Sequence, residues 1–258
     1  MTTTRSPRAV DIDQTSSSPD RIPMSRLVRV EWAKATDTRA ARWLLALVAL
    51  STAALMSVPL LVSTSFDQTY AGYLRVGALG VTILLPVVAI LLFTGEWSQR
   101  SVITTFTQEP RRLRVLQAKL AVSLLLAGGG AVFAGVVAAT GVALAAASGR
   151  SLDSDLTVGA IASCLLFVLL NVLAGVALGA LLQNSAAAVV AAFALPAGLE
   201  LLGAASTLVS DWIDMSVWNW VIENDWSGHV PQVSVSVLIW VAIPLAAGFA
   251  RTMRRDVA

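Results

Sequence analysis

The sequence predicts an all-α integral membrane protein of about six transmembrane helices. Three observations carry this: little charge, six long apolar runs, and Lys and Arg gathered on alternate connections. Of 258 residues, 56% are hydrophobic and only 13% charged, whereas a soluble domain is about 45–50% apolar and roughly 25% charged. A water-soluble fold of this size has no place for so much apolar surface; lipid tails solvate it directly. The mean hydropathy of +0.74 agrees.

Residues 1–23, rich in Ser, Thr, Pro, Asp and Arg, bury too little apolar area to offset ordering entropy and read as a disordered tail. Residues 24–42 read as an amphipathic helix in the membrane interface, with Met24, Leu27, Val28, Trp32 and Ala35 on one arc and Arg26 and Arg29 opposite. Glu31 and Lys34 interrupt the apolar face. Six spans follow at 43–62, 74–93, 120–147, 156–182, 185–209 and 233–250, making 43–250 the transmembrane domain and 251–258 a short tail. Continuous apolar runs favour helices over the alternation of barrel strands. No cleavable signal peptide is expected, because the first apolar run starts late and runs long.

Positive-inside bias sets the orientation. With the N-terminus in the cytoplasm, only Arg75 and Arg150 of the 18 Lys and Arg residues fall outside. An even number of spans returns the C-terminus to the cytoplasm, and the location is the cell membrane. The basic residues flank apolar runs instead of forming a base-reading patch, so no nucleic-acid partner is expected. Cys164 is the only cysteine and reads as a small buried hydrophobe. His229 is the only histidine, in a loop, and reads as solvated. No metal site and no cofactor are expected.

The most patterned segment is the connection between spans two and three, GEWSQRSVITTFTQEPRRLRVLQAK at 95–119. Gly95 ends span two, and 96–107 suits a short helix lying flat on the membrane. Pro110 suits the first turn of a new helix. Leu113, Leu116 and Leu120 share a face, while Arg111, Arg112, Arg114 and Lys119 can meet anionic headgroups or an acidic partner. Glu96, Trp97, Ser101, Thr104, Thr105, Pro110, Arg111, Arg112, Val115 and Lys119 make this segment resemble the first cytoplasmic loop of type-2 ATP-binding-cassette (ABC) permeases. Arg100 and Ser101 stand where those proteins commonly carry Gly-Thr.

The resemblance implies an ABC exporter permease subunit, acting as a dimer and driven by a separate ATPase subunit. It also implies a coupling helix in this loop that contacts the ATPase through Glu96, Trp97, Arg100, Ser101, Ile103, Thr104, Thr105, Arg111 and Arg112. The permease itself is then no enzyme, in keeping with the lack of a GxxxxGK[ST] phosphate loop. Glycines 128–130 lie in an apolar run and read as a close helix approach; Gly175 and Gly179 form a GxxxG pair suited to helix packing or a dimer face. Glu200, in span five, is a candidate for the transport path because an unpaired carboxylate is costly in hydrocarbon. The alternative places it near outer water, in a shorter or re-entrant helix. Asn171 is a weaker path candidate, since an amide readily bonds a neighbouring helix. Residues 210–231, with Trp212, Trp218, Trp220 and Trp226, read as a re-entrant or interfacial helix on the outer leaflet. Two rival classes are a non-catalytic scaffold or immunity protein and a membrane-embedded enzyme. The enzyme is disfavoured because no histidine and no carboxylate besides Glu200 lies within a span. The substrate is not legible.

Overall fold

A computed structural model describes residues 22–62, 68–98, 111–150 and 157–254. Among them, six helices are long and apolar enough to cross a membrane: α2 (Arg39–Leu61), α3 (Tyr70–Ser98), α4 (Arg112–Ala147), α5 (Val158–Leu182), α6 (Ser185–Gly203) and α7 (Val230–Arg254). The chain is a multi-pass, all-α membrane protein. A shorter helix, α1 (Met24–Thr36), precedes them. Most of the tail expected at 1–23, the loop residues 99–110 and the last residues 255–258 lie outside the described residues.

The helices alternate in direction, and both ends of the described chain meet at one end of the bundle. There Arg114 donates to the Ile22 carbonyl and Arg112 to that of Thr252 (3.0 Å). α3 and α5 form the centre, burying Tyr73, Val81, Ile90, Val168, Val172 and Val176. Small residues let them approach. A Cβ on Gly175 would stand 2.8 Å from the Pro86 carbonyl oxygen, and one on Gly179 would stand 3.2 Å from the Phe93 Cβ. The GxxxG pair is therefore used in packing within the chain and is not left for a dimer face. Of the glycines at 128–130, only Gly130 makes the expected close approach, against Leu85 and Val81; Gly128 and Gly129 face open space. Cys164 is buried in the core.

Three departures from the sequence reading have physical causes. α4 has 36 residues, about 54 Å of helix at 1.5 Å per residue. It begins eight residues before the apolar run because its first two turns are held by polar contacts. α6 ends at Gly203 instead of continuing to 209, because the chain folds back so that Ser210 lies against Gly203. Within α7 the turn at Leu238–Ala242 widens just before Pro244, which has no N–H for a preceding carbonyl.

The tryptophan-rich connection does not rest as a whole on the membrane surface. It folds back as short helical turns with Trp218 fully buried beside Val217, Val221 and Ile222. Trp240 donates to the Ile213 carbonyl at 2.7 Å, and Ser163 of α5 donates to Asn224 at 2.9 Å. Trp212 and Trp226 remain exposed. His229 is not free in solvent: its ring stacks on Trp220 at 3.8 Å.

Gly175→Leu should force α3 and α5 apart at a cost of about 1–3 kcal/mol or more. Gly128→Ala, in open space, should be neutral or stabilising by up to about 1 kcal/mol. Thermal unfolding in detergent micelles compares the two; equal midpoints would contradict the packing described.

Candidate functional site

The side chains that interrupt the apolar face of α1 are the ones it turns inward. Glu31 and Ala35 are buried and Val28 packs against the core, whereas Met24 and Trp32 stay partly exposed. The inward face is thus rotated from the apolar arc, because a partner for Glu31 awaits it. Glu31 Oε2 accepts from Lys119 Nζ at 2.7 Å, and Oε1 from Lys34 Nζ at 2.6 Å. Lys34 also donates to Glu96 Oε1 at 2.6 Å, and Lys119 Nζ lies 3.4 Å from that same oxygen. Lys119 completes its set by donating to the Leu92 carbonyl at 2.9 Å.

Among the described residues, two carboxylates and two ammoniums therefore close a ring joining α1, the end of α3 and the second turn of α4. The side chains of Lys119, Glu31 and Glu96 are only 3%, 5% and 11% exposed. Such a ring balances desolvation against mutual attraction, and removing one member strands the others. Lys34, outside the spans, keeps a raised pKa: burial acts to lower it, but the charge of Glu31, then hydrogen bonds to Glu31 and Glu96, outweigh that. A raised lysine value contributes stability at all pH below its unfolded value and loses it as pH rises through the folded one.

The ring brackets residues 99–110 on both sides. Of the residues expected to contact a partner, Arg100, Ser101, Ile103, Thr104 and Thr105 lie outside the described residues, as does Pro110. Trp97 is half-buried, and Glu96 points into the bundle. Glu96 is thus an internal anchor, a correction to its expected place on the contact surface. The basic residues that follow are not all free for headgroups. Lys119 is in the ring, and Arg112 and Arg114 hold backbone carbonyls, while Arg111 is exposed. The same end is tied further by Arg251 on the Leu181 carbonyl (2.7 Å) and Gln183 on Thr252 Oγ1 (2.9 Å). At the opposite end Arg150 donates to the carbonyls of Pro59 (3.1 Å) and Leu60 (2.6 Å). A cation at the last turn of α2 satisfies carbonyls the helix leaves open, which explains one of the two basic residues placed outside.

The path candidates separate. Asn171 is half-buried, donates to the Phe167 carbonyl of its own helix (2.9 Å), and lines a cavity of about 230 Å³ between α3, α5 and α6. Thr82, Pro86, Ala192 and Pro196 also line it. Each proline removes the N–H that would bond the carbonyl four residues earlier, so the carbonyls of Thr82 and Ala192 lose their helical donor at this cavity. Glu200 is elsewhere: it is exposed in the last turn of α6, so it is not at the middle of a span. Among the described residues no cluster of His, Cys, Asp and Glu could hold a metal ion.

Comparison with protein-family models, with curated proteins and with solved structures returns no match.

Sequence reasoning found Glu96 and Lys119 but not the ring. The available signal was two opposite charges on the apolar arc of α1, which are tolerated there only if something buried neutralises them.

Lys119→Met should cost about 3–5 kcal/mol by stranding Glu31 and Glu96. Combining it with Glu31→Leu should recover part of the loss. A double-mutant cycle on unfolding in detergent measures the coupling, and strict additivity would contradict the ring.

Proposed function

We propose that the chain is the permease subunit of a type-2 ABC exporter in the cell membrane. In this reading it works as a dimer, homo- or heteromeric, with its basic end in the cytoplasm and a separate ATPase subunit docked on residues 99–110. The observation that carries the reading is the ion ring. The 95–119 segment resembles the coupling loop of such permeases, and the ring clamps both flanks of the loop to α1 and to the spans.

Coupling of this kind needs a stiff connection. A push on a loop held only by flexible flanks would dissipate in the loop. Here Glu96 stands three residues from the segment's start and Lys119 in the second turn of α4, and both are locked to α1 through charge-assisted bonds of 2.6–2.7 Å. A displacement of 99–110 therefore moves α3, α4 and α1 as one body. Arg111, exposed beside the segment, is assigned to the partner contact. Asn171, at the polar spot beside Pro86 and Pro196, is assigned to the path, as carbonyls without their helical donor are tolerated in a membrane interior where they line a cavity. Glu200 is assigned to its far end. ATP hydrolysis belongs to the partner; the permease binds no cofactor.

Two measurements test this. In the complex with its ATPase, Ile103→Pro or Arg111→Glu should lower permease-stimulated ATP hydrolysis at least tenfold while membrane insertion is unchanged. Normal stimulation in both would remove the coupling assignment. Single cysteines at Asp37 and Ser148, in a Cys164→Ala background, should react with membrane-impermeant maleimide from opposite sides of intact cells, with Ser148 outside. The reverse pattern would overturn the orientation.

A further inference from the structure

We propose that a cleft beside the ion ring binds one anionic phospholipid, its headgroup at the basic end and an acyl chain along α3. The inference stands on the membrane fold alone and does not depend on the transport reading.

The cleft has a volume of about 550 Å³ and lies between the start of α2, the last turns of α3 and the start of α6. Small residues make the room. Ala35, Ala40 and Ala41 face it from α1 and α2, and nothing lies within 4 Å of a Cβ built on Gly95. Its character changes along its length. Lys34, Thr38, Glu96, Ser98 and Ser185 form one end, whereas Leu44, Val88 and Leu91 form the other. Ser98 and Val88 are ten positions apart on one helix, about 15 Å at 1.5 Å per residue. A void with one polar and one apolar end, at the end of membrane-spanning helices, matches an amphiphile and not a compact polar solute.

The polar end selects the charge of the headgroup. The two carboxylates and Lys119 are nearly sealed in the ring. Lys34 is 39% exposed and spends two of its three N–H groups on Glu31 and Glu96, leaving one donor for the cleft. Glu96 Oε1 faces the ammoniums of Lys34 and Lys119. The hydroxyls on the α6 side offer no donor. Thr94 donates to the Ile90 carbonyl, so Ser185 must donate to Thr94, and Ser98 in turn to Ser185. Thr38 accepts from the Ala41 amide and keeps its O–H proton for a ligand. Its helix begins there, and the amides of Arg39 and Ala40 have no carbonyl within the helix to bond. Arg39 and Arg42 are exposed on the first turn of the same helix, Arg42 lying 3.8 Å from the Asp37 carboxylate. The third Lys34 N–H, the Thr38 hydroxyl and the first amides of α2 are donors that favour a phosphate, and the one exposed carboxylate beside them, Asp37, is offset by Arg42; the apolar end requires that the phosphate carry a tail.

The purified full-length protein, delipidated in dodecyl maltoside, is titrated with phosphatidylglycerol or phosphatidylcholine and read by native mass spectrometry. One phosphatidylglycerol should bind at least tenfold more tightly than phosphatidylcholine. Gly95→Trp and Ala40→Trp, which fill the cleft from opposite walls, should each weaken it at least tenfold. Gly128→Trp, which adds the same bulk in open space elsewhere, should not. Equal binding of the two lipids would overturn the headgroup assignment. Unchanged binding in both filled variants, or equal loss in Gly128→Trp, would overturn the site. Displacement of the lipid by millimolar inorganic phosphate would assign the polar end to a free anion instead.

Discussion

Glu31, Lys34, Glu96 and Lys119 come from three helices separated by as many as 88 positions in the chain, yet they share a space sealed from water on most sides. No pair among them is sufficient. Glu31 spends one oxygen on each lysine, and Glu96 shares one oxygen between them. A buried carboxylate or ammonium alone would cost several kcal/mol, so each charge is tolerable only while the others are in place. That mutual requirement seats α1 against the bundle, brings the first turns of α4 under the end of α3, and sets the two flanks of residues 99–110 a fixed distance apart. The fold at this end of the molecule follows from it.

Away from the ring, the architecture is decided by where side chains are missing. Gly175 and Gly179 bring α5 onto α3 so closely that a methyl group would collide at the first and be tightly squeezed at the second. Without a hydrophobic force between helices in lipid, such close packing is the main source of association. Gly95, Gly128 and Gly129 do the opposite: nothing fills the space they leave. Prolines act similarly on the backbone. Pro86 and Pro196 face one cavity and strip two carbonyls of their donors there, while Pro244 is accommodated by a widened turn. The same two residue types thus close the centre of the bundle and open its edges.

The ring and the cleft share a wall, and this joins the two functional proposals. A loop anchored through Glu96 and Lys119 cannot be displaced without moving Lys34, which offers its last donor to the cleft. A lipid seated there would bear on the same ion pairs that the loop pulls on. Occupancy and loop position are then linked, each altering the free energy of the other through one shared ammonium.

The sequence by itself determined that the chain is an all-α membrane protein with six helices long and apolar enough to cross, since hydropathy is a local sum over contiguous residues. It also singled out the segment at 95–119. It could not show that Glu96 turns inward, that Trp218 is buried, that the GxxxG pair is already occupied, or that Glu200 lies in a final turn. Each of those depends on what another part of the chain presents at that point. Glu31 illustrates the limit: on α1 alone it is a flaw in an amphipathic pattern, and only Lys119, arriving from α4 after α2 and α3 have run the length of the bundle and back, makes it the residue on which the helix is seated. Tertiary structure decided these things because the cost of a buried charge, or of a missing side chain, is set by its neighbours and not by its place in the sequence.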